Sequence, residues 1–329
     1  MAGAESALVT AWYQGAWWLY LLRPLEFVFR CVVALRKSLY RSGLVKQFTP
    51  SKPVVIVGNI TVGGTGKTPI VLALIEYLQL QGIRPGLVSR GYGSSRSNYP
   101  YSVSRHSTAE DCGDEALLIY QRTGCPCVVS PQRVDAVRQL LSDFDVDVIL
   151  SDDGLQHYAL ARHMEIAVLD ETRRIGNGFC LPAGPLREPA SRLRKVDYVL
   201  YRGSLKPDLG VQYVAIALVH LVTGRAIAVA PDTLEREVYA VSGIGQPEQF
   251  YQTLRESGFQ LDVRTFGDHH AYSSGDFAGL EDKPIIMTEK DAVKCRGFLG
   301  DNAWYLKIEA RIPKTLCSAV LALAKDSKG

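Results

Sequence analysis

The sequence predicts an α/β protein built on a doubly wound parallel sheet, and three observations carry that prediction. From residue 54 to residue 201, short apolar runs alternate with segments of helical periodicity, as in a sheet covered on both faces by helices. The first run, 54–57, is β-branched and uninterrupted, and it leads through a glycine-rich turn into a helix over 69–80. After residue 236 a second, shorter series of strands and helices begins, so a smaller α/β domain should follow the first.

The glycine-rich turn is Thr61-Val62-Gly63-Gly64-Thr65-Gly66-Lys67-Thr68. Gly-Lys-Thr between a strand and a helix is the signature of a phosphate-binding P-loop, one residue short of the strict pattern because Thr61 stands where glycine is usual. Glycines let backbone N–H groups converge on phosphate oxygens, and the helix N-terminus adds its positive dipole end. Residues 61–68 are therefore expected to cradle ATP, with Lys67 reaching the β and γ phosphates and the Thr68 hydroxyl serving Mg²⁺. Pro69 falls in the first helical turn, where its missing N–H costs little.

The chain of 329 residues is long enough for two domains, and its composition is that of an ordinary globular protein. Its net charge of +3 hides an asymmetry: seven basic residues up to Lys52 face only Glu5 and Glu26. Local basic character argues against nucleic-acid binding and for an N-terminal contact with an anionic surface. The seven cysteines are scattered and include no C-x-x-C, so neither a disulfide framework nor a zinc site is expected, and a reducing compartment suits them. Near the N-terminus, Trp18, Leu22, Leu25, Phe29 and Val32 fall on one helical face, with Arg23, Glu26, Arg30, Lys37 and Arg41 to one side. Arg23, Glu26 and Arg30 break the apolar stretch, which argues against a spanning helix. The segment reads instead as a helix lying in a membrane interface, kinked or restarted at Pro24.

Further along, the run 85–89 ends in Arg90-Gly91-Tyr92-Gly93. Gly113-Asp114-Glu115 opens an apolar helix, and the two acids read equally as dipole-complementing first-turn residues or as a general base with a metal partner. A strand over 126–130 precedes Arg133 and a helix over 134–141. The apolar run 146–150 leads into Asp152-Asp153-Gly154, the arrangement by which a strand-end carboxylate serves the nucleotide's Mg²⁺. Strands are expected at 166–169 and 198–201, separated by a Gly/Pro-rich loop that carries Arg187 as an anion contact. Two β-type runs over 211–230 around Thr223-Gly224-Arg225 suggest a two-stranded ribbon. In the second unit, strands at 238–241, 262–266 and 284–288 flank a helix over 247–256. His269 and His270 adjoin the second strand; neighbours on an extended chain point apart, so one histidine assisting a carboxylate is expected rather than a chelating pair. The resulting division is 1–46 for the N-terminal helices, 47–210 for the nucleotide-binding core, 211–235 for the ribbon and 236–329 for the second domain.

Taken together, these motifs resemble the tetraacyldisaccharide 4'-kinases of lipid A synthesis. The likeness rests on Gly58 through Pro69, Ser89-Arg90-Gly91-Tyr92-Gly93, Gly113-Asp114-Glu115 and Asp152-Asp153-Gly154-Leu155-Gln156-His157. It extends through residues 181–189, 266–270 and Thr288-Glu289-Lys290-Asp291-Ala292; Ala116 and Gly267 stand where the family more often has proline. The resemblance implies transfer of the ATP γ-phosphate to the 4'-hydroxyl of a tetraacylated glucosamine disaccharide 1-phosphate, yielding lipid IVA. It also implies a protein peripheral to the cytoplasmic face of the inner membrane, taken here as a monomer. Asp114 would be the base, acting with His269, and Lys67 would neutralise the phosphoryl group. Thr68, Glu115 and Asp152 would serve Mg²⁺, with Asp153 a weaker candidate. Arg90, Tyr92, Arg133, Gln156, His157 and Arg187 would line the lipid headgroup site. Two rivals are a kinase for a soluble sugar or cofactor and a nucleotide-dependent switch; a GTPase should carry Asn-Lys-x-Asp, and Thr288-Glu289-Lys290-Asp291 has the wrong order.

Overall fold

The computed structural model describes residues 2–326. In chain order the helices are α1 (Ala2–Gln14), α2 (Arg23–Arg41), α3 (Lys67–Leu80), α4 (Ala109–Cys112), α5 (Asp114–Thr123), α6 (Arg133–Asp143), α7 (Glu248–Glu256), α8 (Glu289–Cys295) and α9 (Lys314–Asp326). The strands of the first half are β1 (Val54–Gly58), β2 (Pro85–Ser89), β3 (Tyr101–Ser102), β4 (Cys127–Val129), β5 (Val148–Asp152), β6 (Met164–Asp170) and β7 (Tyr198–Arg202). Those of the second half are β8 (Gly210–His220), β9 (Ala226–Ile227), β10 (Glu237–Ser242), β11 (Gln260–Thr265), β12 (Ile285–Thr288) and β13 (Ala303–Arg311).

All of the strands join one mixed sheet, in the order β11-β10-β12-β13-β8-β7-β6-β1-β5-β2-β4-β3, with β9 beside β8. From β2 through β7 the neighbours on this path run parallel, which buries both faces and explains the continuous apolar runs. One face packs Ile70, Leu74 and Leu78 of α3 with Leu117 of α5 and Val320 of α9; the other packs Val137 and Leu140 of α6. The second half has its own two apolar clusters, around Tyr251 and Leu254 of α7 and around Met287 and Ala292.

The expected ribbon forms around Thr223-Gly224-Arg225, where β8 and β9 pair antiparallel, but its second strand is short. The longer partner of β8 is the distant β13, antiparallel from Gln212↔Arg311 to His220↔Trp304. After Gly224 only Ala226 and Ile227 pair back onto β8, because Pro231 and the polar residues that follow cannot sustain a ladder. The halves meet in the sheet through the short β7/β8 pairing, Tyr201↔Gly210 and Arg202↔Val211.

At the N-terminus the helix restarts at Pro24 as expected, in the first turn of α2. Trp17–Leu22 before it is a 3₁₀ turn, so Trp18 and Leu22 do not continue the α2 face that carries Leu25, Phe29 and Val32. Phe29 leans on the body, whereas Leu25 and Val32 face solvent. The inward anchor is Glu26, 2% exposed, which accepts from the Cys180 N–H at 3.1 Å and pairs with Arg23 at 2.7 Å. No described helix is long and apolar enough to cross a membrane.

Candidate active site

The glycine-rich turn closes the carboxyl end of β1. Gly66 sits at φ 73°, a left-handed conformation that favours glycine, and α3 starts at Lys67 with Pro69 in its first turn. Gly64 to Thr68 line a cleft of about 500 Å³ that also takes in Glu115, Arg202, Tyr213, Gln246, Asp268 and Lys290. Thr61 and Val62 are not part of its lining: Thr61 bridges Leu186, and the Val62 N–H donates to the Pro185 carbonyl at 2.8 Å. They pin the turn to the Gly/Pro-rich loop, and Gly63 makes the bend between, at φ 98°. The second half closes over the turn. Gln246 donates to the Gly64 carbonyl at 3.1 Å, and the Tyr213 hydroxyl donates to the Gly66 carbonyl.

Asp114 opens α5 immediately after Gly113. At φ 83°, with the Tyr92 carbonyl where a Cβ would lie, that position accepts only glycine. Asp114 is 4% exposed, and both its carboxylate oxygens lie within hydrogen-bond distance of His269 Nδ1, at 3.0 and 3.1 Å. His269 itself occupies φ 59°, unusual for a residue with a Cβ, and its ring sits 4.6 Å from that of Tyr92. Lys290 Nζ stands 3.1 Å from Glu115 and 3.8 Å from Asp114, and Lys294 Nζ lies 3.8 Å from Asp114. Burial alone would raise the Asp114 pKa, but the His269 hydrogen bond and the Lys290 and Lys294 charges outweigh it and hold the carboxyl below its ordinary range. It is therefore ionised at neutral pH, able to accept a proton. His270 points elsewhere, to Asp276 at 3.3 Å.

The neighbouring acids at the end of β5 behave oppositely. Burial, with the Glu115 charge, pushes Asp152 up to about 7. Asp153 is half-buried, and Lys67 at 3.3 Å and Arg187 at 2.9 Å outweigh its desolvation and lower its pKa. Asp152 Oδ1 and the Thr65 hydroxyl are buried without a hydrogen-bond partner among the described residues. A hard cation and a phosphate oxygen would satisfy such groups, so the residues present fit a Mg²⁺–nucleotide. Asp114, Glu115 and His269 also bring ligand atoms within 4.8 Å of one another.

The six residues expected at a headgroup site divide. Arg90 and Tyr92 are exposed. Arg133 is 2% exposed and donates to the Ser130 and Asp152 carbonyls, both at 2.9 Å, so that it braces the end of β5. Gln156 donates to the Asn59 carbonyl at 3.2 Å and to Glu188 at 3.0 Å. Burial, then the charges of Arg133 and Arg90, pushes His157 down to about 4, so it is neutral at pH 7. Arg187 is held by Asp153. Sequence reasoning assigned no role to Lys290, Lys294, Asp268 or Arg202; the signal available for the lysines was their i, i+4 spacing on one short helix.

Residues 18–325 match the family described as LpxK, tetraacyldisaccharide-1-P 4'-kinase. The chain belongs to that family. A tetraacyldisaccharide 4'-kinase of Aeromonas hydrophila is 47% identical over 323 residues, covering 97% of this chain and 96% of that one. A Pseudomonas putida relative of the same name is 46% identical over 313 residues, covering 94% and 93%. The crystal structure of an LpxK from Aquifex aeolicus in complex with ATP superposes with a TM-score of 0.78 at 27% identity, over 94% of this chain and 99% of that one. The α/β fold with its mixed sheet is thus similar to that of the Aquifex aeolicus LpxK.

Proposed function

We propose that this kinase transfers the γ-phosphate of ATP to the 4'-hydroxyl of a tetraacylated glucosamine disaccharide 1-phosphate, yielding lipid IVA. The observation that carries this reading is the buried, ionised Asp114, held by His269 near the cleft that Lys67 and the glycine-rich turn form. A sugar hydroxyl is a poor nucleophile, and phosphoryl transfer depends on positioning and charge neutralisation. Asp114 accepts the hydroxyl proton as the oxygen attacks, with His269 fixing the carboxylate's direction. Lys67 neutralises charge on the transferring group, and backbone N–H groups from Gly64 to Thr68 hold the phosphates. Thr68, Glu115 and Asp152 would hold Mg²⁺, which when bound supplies further neutralisation of phosphate charge. Arg90, Tyr92 and Arg187 would meet the acceptor headgroup, guanidinium groups being suited to its phosphate.

Because His269 and Gln246 come from the second half and Asp114 and Gly64 from the first, closure of one half on the other would assemble the site and exclude water. A disulfide holding the halves apart should abolish turnover and spare nucleotide binding; undiminished turnover would refute closure. The exposed Trp17, Leu21, Phe27 and Leu35 would rest in the cytoplasmic face of the inner membrane and keep the cleft near its lipid acceptor. The reaction is tested with radiolabelled ATP and the disaccharide 1-phosphate in mixed micelles. Labelled lipid should form with the wild type and be lost with Lys67→Ala and Asp114→Ala. No labelled lipid from the folded wild type would overturn the assignment.

A further inference from the structure

The segment Thr288-Glu289-Lys290-Asp291 caps and opens α8, and its three charged side chains tie that helix to other elements. The Thr288 hydroxyl caps the helix by accepting from the Asp291 N–H at 3.2 Å, and Asp291 accepts from the Gly243 N–H at 3.0 Å. Lys290 faces Glu115 and Asp114 at the start of α5. Glu289 faces the other end of α5, where it meets Arg122 at 3.0 Å. Two adjacent residues in the first turn of α8 thus reach the two ends of α5, each meeting opposite charge.

Arg122 does more than pair with Glu289. Its guanidinium donates to Glu76 of α3 at 2.9 Å and to the Ile308 carbonyl of β13 at 2.8 Å, and it lies 3.9 Å from Glu309. The side chain is only 7% exposed. One buried fork thus joins the helix that follows the phosphate cradle, the helix that carries Asp114, and two elements of the second half. It touches neither Asp114 nor Lys67, and the reaction scheme above does not use it.

We propose that Arg122 is a positioning residue for phosphoryl transfer: by fixing Glu289 it sets the register of α8 on α5, and so places the adjacent Lys290 against Asp114 and Glu115. The inference rests on the reading of Asp114 as the base. A planar guanidinium serves several acceptors in fixed directions, which an ammonium on a flexible stem cannot do, so lysine should be a poor substitute.

The test is a double-mutant cycle on the full chain, with Arg122→Met, Lys290→Met and the pair, read as kcat and as KM for ATP. Arg122→Met should lower kcat by about 10²-fold, as misplacement of a reacting group does, with KM for ATP changed little. In the Lys290→Met background the same substitution should cost less than about threefold, because its route of action is already gone. Arg122→Lys should recover only part of the loss. Hydrogen exchange of the ligand-free protein supplies a readout independent of turnover: Arg122→Met should speed exchange in α8 and leave β1, β2 and β5 unchanged. Losses that multiply across the cycle, wild-type kcat in Arg122→Met, or unchanged exchange in α8 would each overturn the proposal. If Arg122→Met does not fold, Glu289→Gln removes the same link and is read in the same cycle. If the wild type makes no labelled lipid, the assigned reaction fails, and exchange in α8 still decides whether Arg122 holds that helix.

Discussion

Two buried carboxylates, Glu26 on α2 and Asp152 at the end of β5, are 2% and 1% exposed and yet stand in opposite conditions. Glu26 is saturated: Arg23 and Arg30 flank it and the Cys180 N–H donates to it. Asp152 has an oxygen with no partner among the described residues, and burial has pushed it up to about 7. A saturated buried charge fastens one element to another, whereas an unsaturated one is retained at a cost and marks where a ligand completes the structure. If the contrast is sound, changes around Asp152 should alter rate and leave the fold alone. Changes around Glu26 should do the reverse.

The largest effects are expected in the cleft. Asp114→Asn should lower kcat by about 10²–10⁴-fold, the usual range for loss of a general base. Lys67→Met should cost at least about 10²-fold, as loss of a preorganised charge partner does. Thermal melting of Lys67→Met should stay near that of the wild type, whereas Asp114→Asn also weakens the pairing with His269 and Lys290 and should melt somewhat lower. A large loss of stability without loss of rate would erase the distinction between the two regions.

Asp152→Asn sharpens it through pH. A carboxyl whose folded pKa lies near 7 rather than at the ordinary 3.8 binds more protons folded than unfolded between those values. Its contribution to stability is therefore whole below pH 4 and is lost as pH rises through 7. In the ligand-free protein the substitution should flatten that fall, so that above pH 7 the variant melts no lower than the wild type. The Mg²⁺ concentration needed for half-maximal rate should rise at the same time. A steeper fall of stability with pH in the variant would show that Asp152 is paired after all.

Much of this contrast was legible in the sequence, and the parts that were not share a cause. Strands at 54–58 and 85–89 declare themselves because local apolar patterning encodes parallel strands buried on both faces. The glycine turn was legible for the same local reason, although Thr61 and Val62 turned out to serve the Pro185 loop rather than the cleft. What escaped depends on distant partners. β13 lies some ninety positions from β8 in the chain, and its half-buried pattern has meaning only beside that strand. Arg133 reads as a surface cation until β5 is placed over it. Glu26 was grouped with the solvated charges of α2, since no local pattern foretells that Cys180 supplies an N–H to it.

Glu26→Ala should therefore act on stability. Removing the carboxylate leaves the buried Cys180 N–H unpaired and frees α2 from its anchor, at about 1–3 kcal/mol in denaturant unfolding. Phosphate transfer at saturating detergent-solubilised substrate should change less than threefold, far below the about 10²-fold losses expected in the cleft. Unchanged unfolding would mean that α2 is held by its other contacts, chiefly Phe29 against the body and Lys37 at 3.9 Å from Glu188.

The smallest expected change in stability comes from the opposite side of the same helix. Phe27 is 68% exposed and Val28 59%, so neither contributes much to the protein's own core. Replacing both with glutamate should move unfolding by less than about 1 kcal/mol, as surface changes usually do. The same pair should matter greatly to a lipid surface. Burying a Phe or Val side chain is worth about 1.5–3 kcal/mol, and each 1.4 kcal/mol is tenfold in affinity. Two new negative charges would also repel an anionic bilayer. Flotation with anionic vesicles should accordingly fall more than about tenfold while the melting temperature holds. Equal flotation of variant and wild type would mean that this apolar face does not meet the membrane.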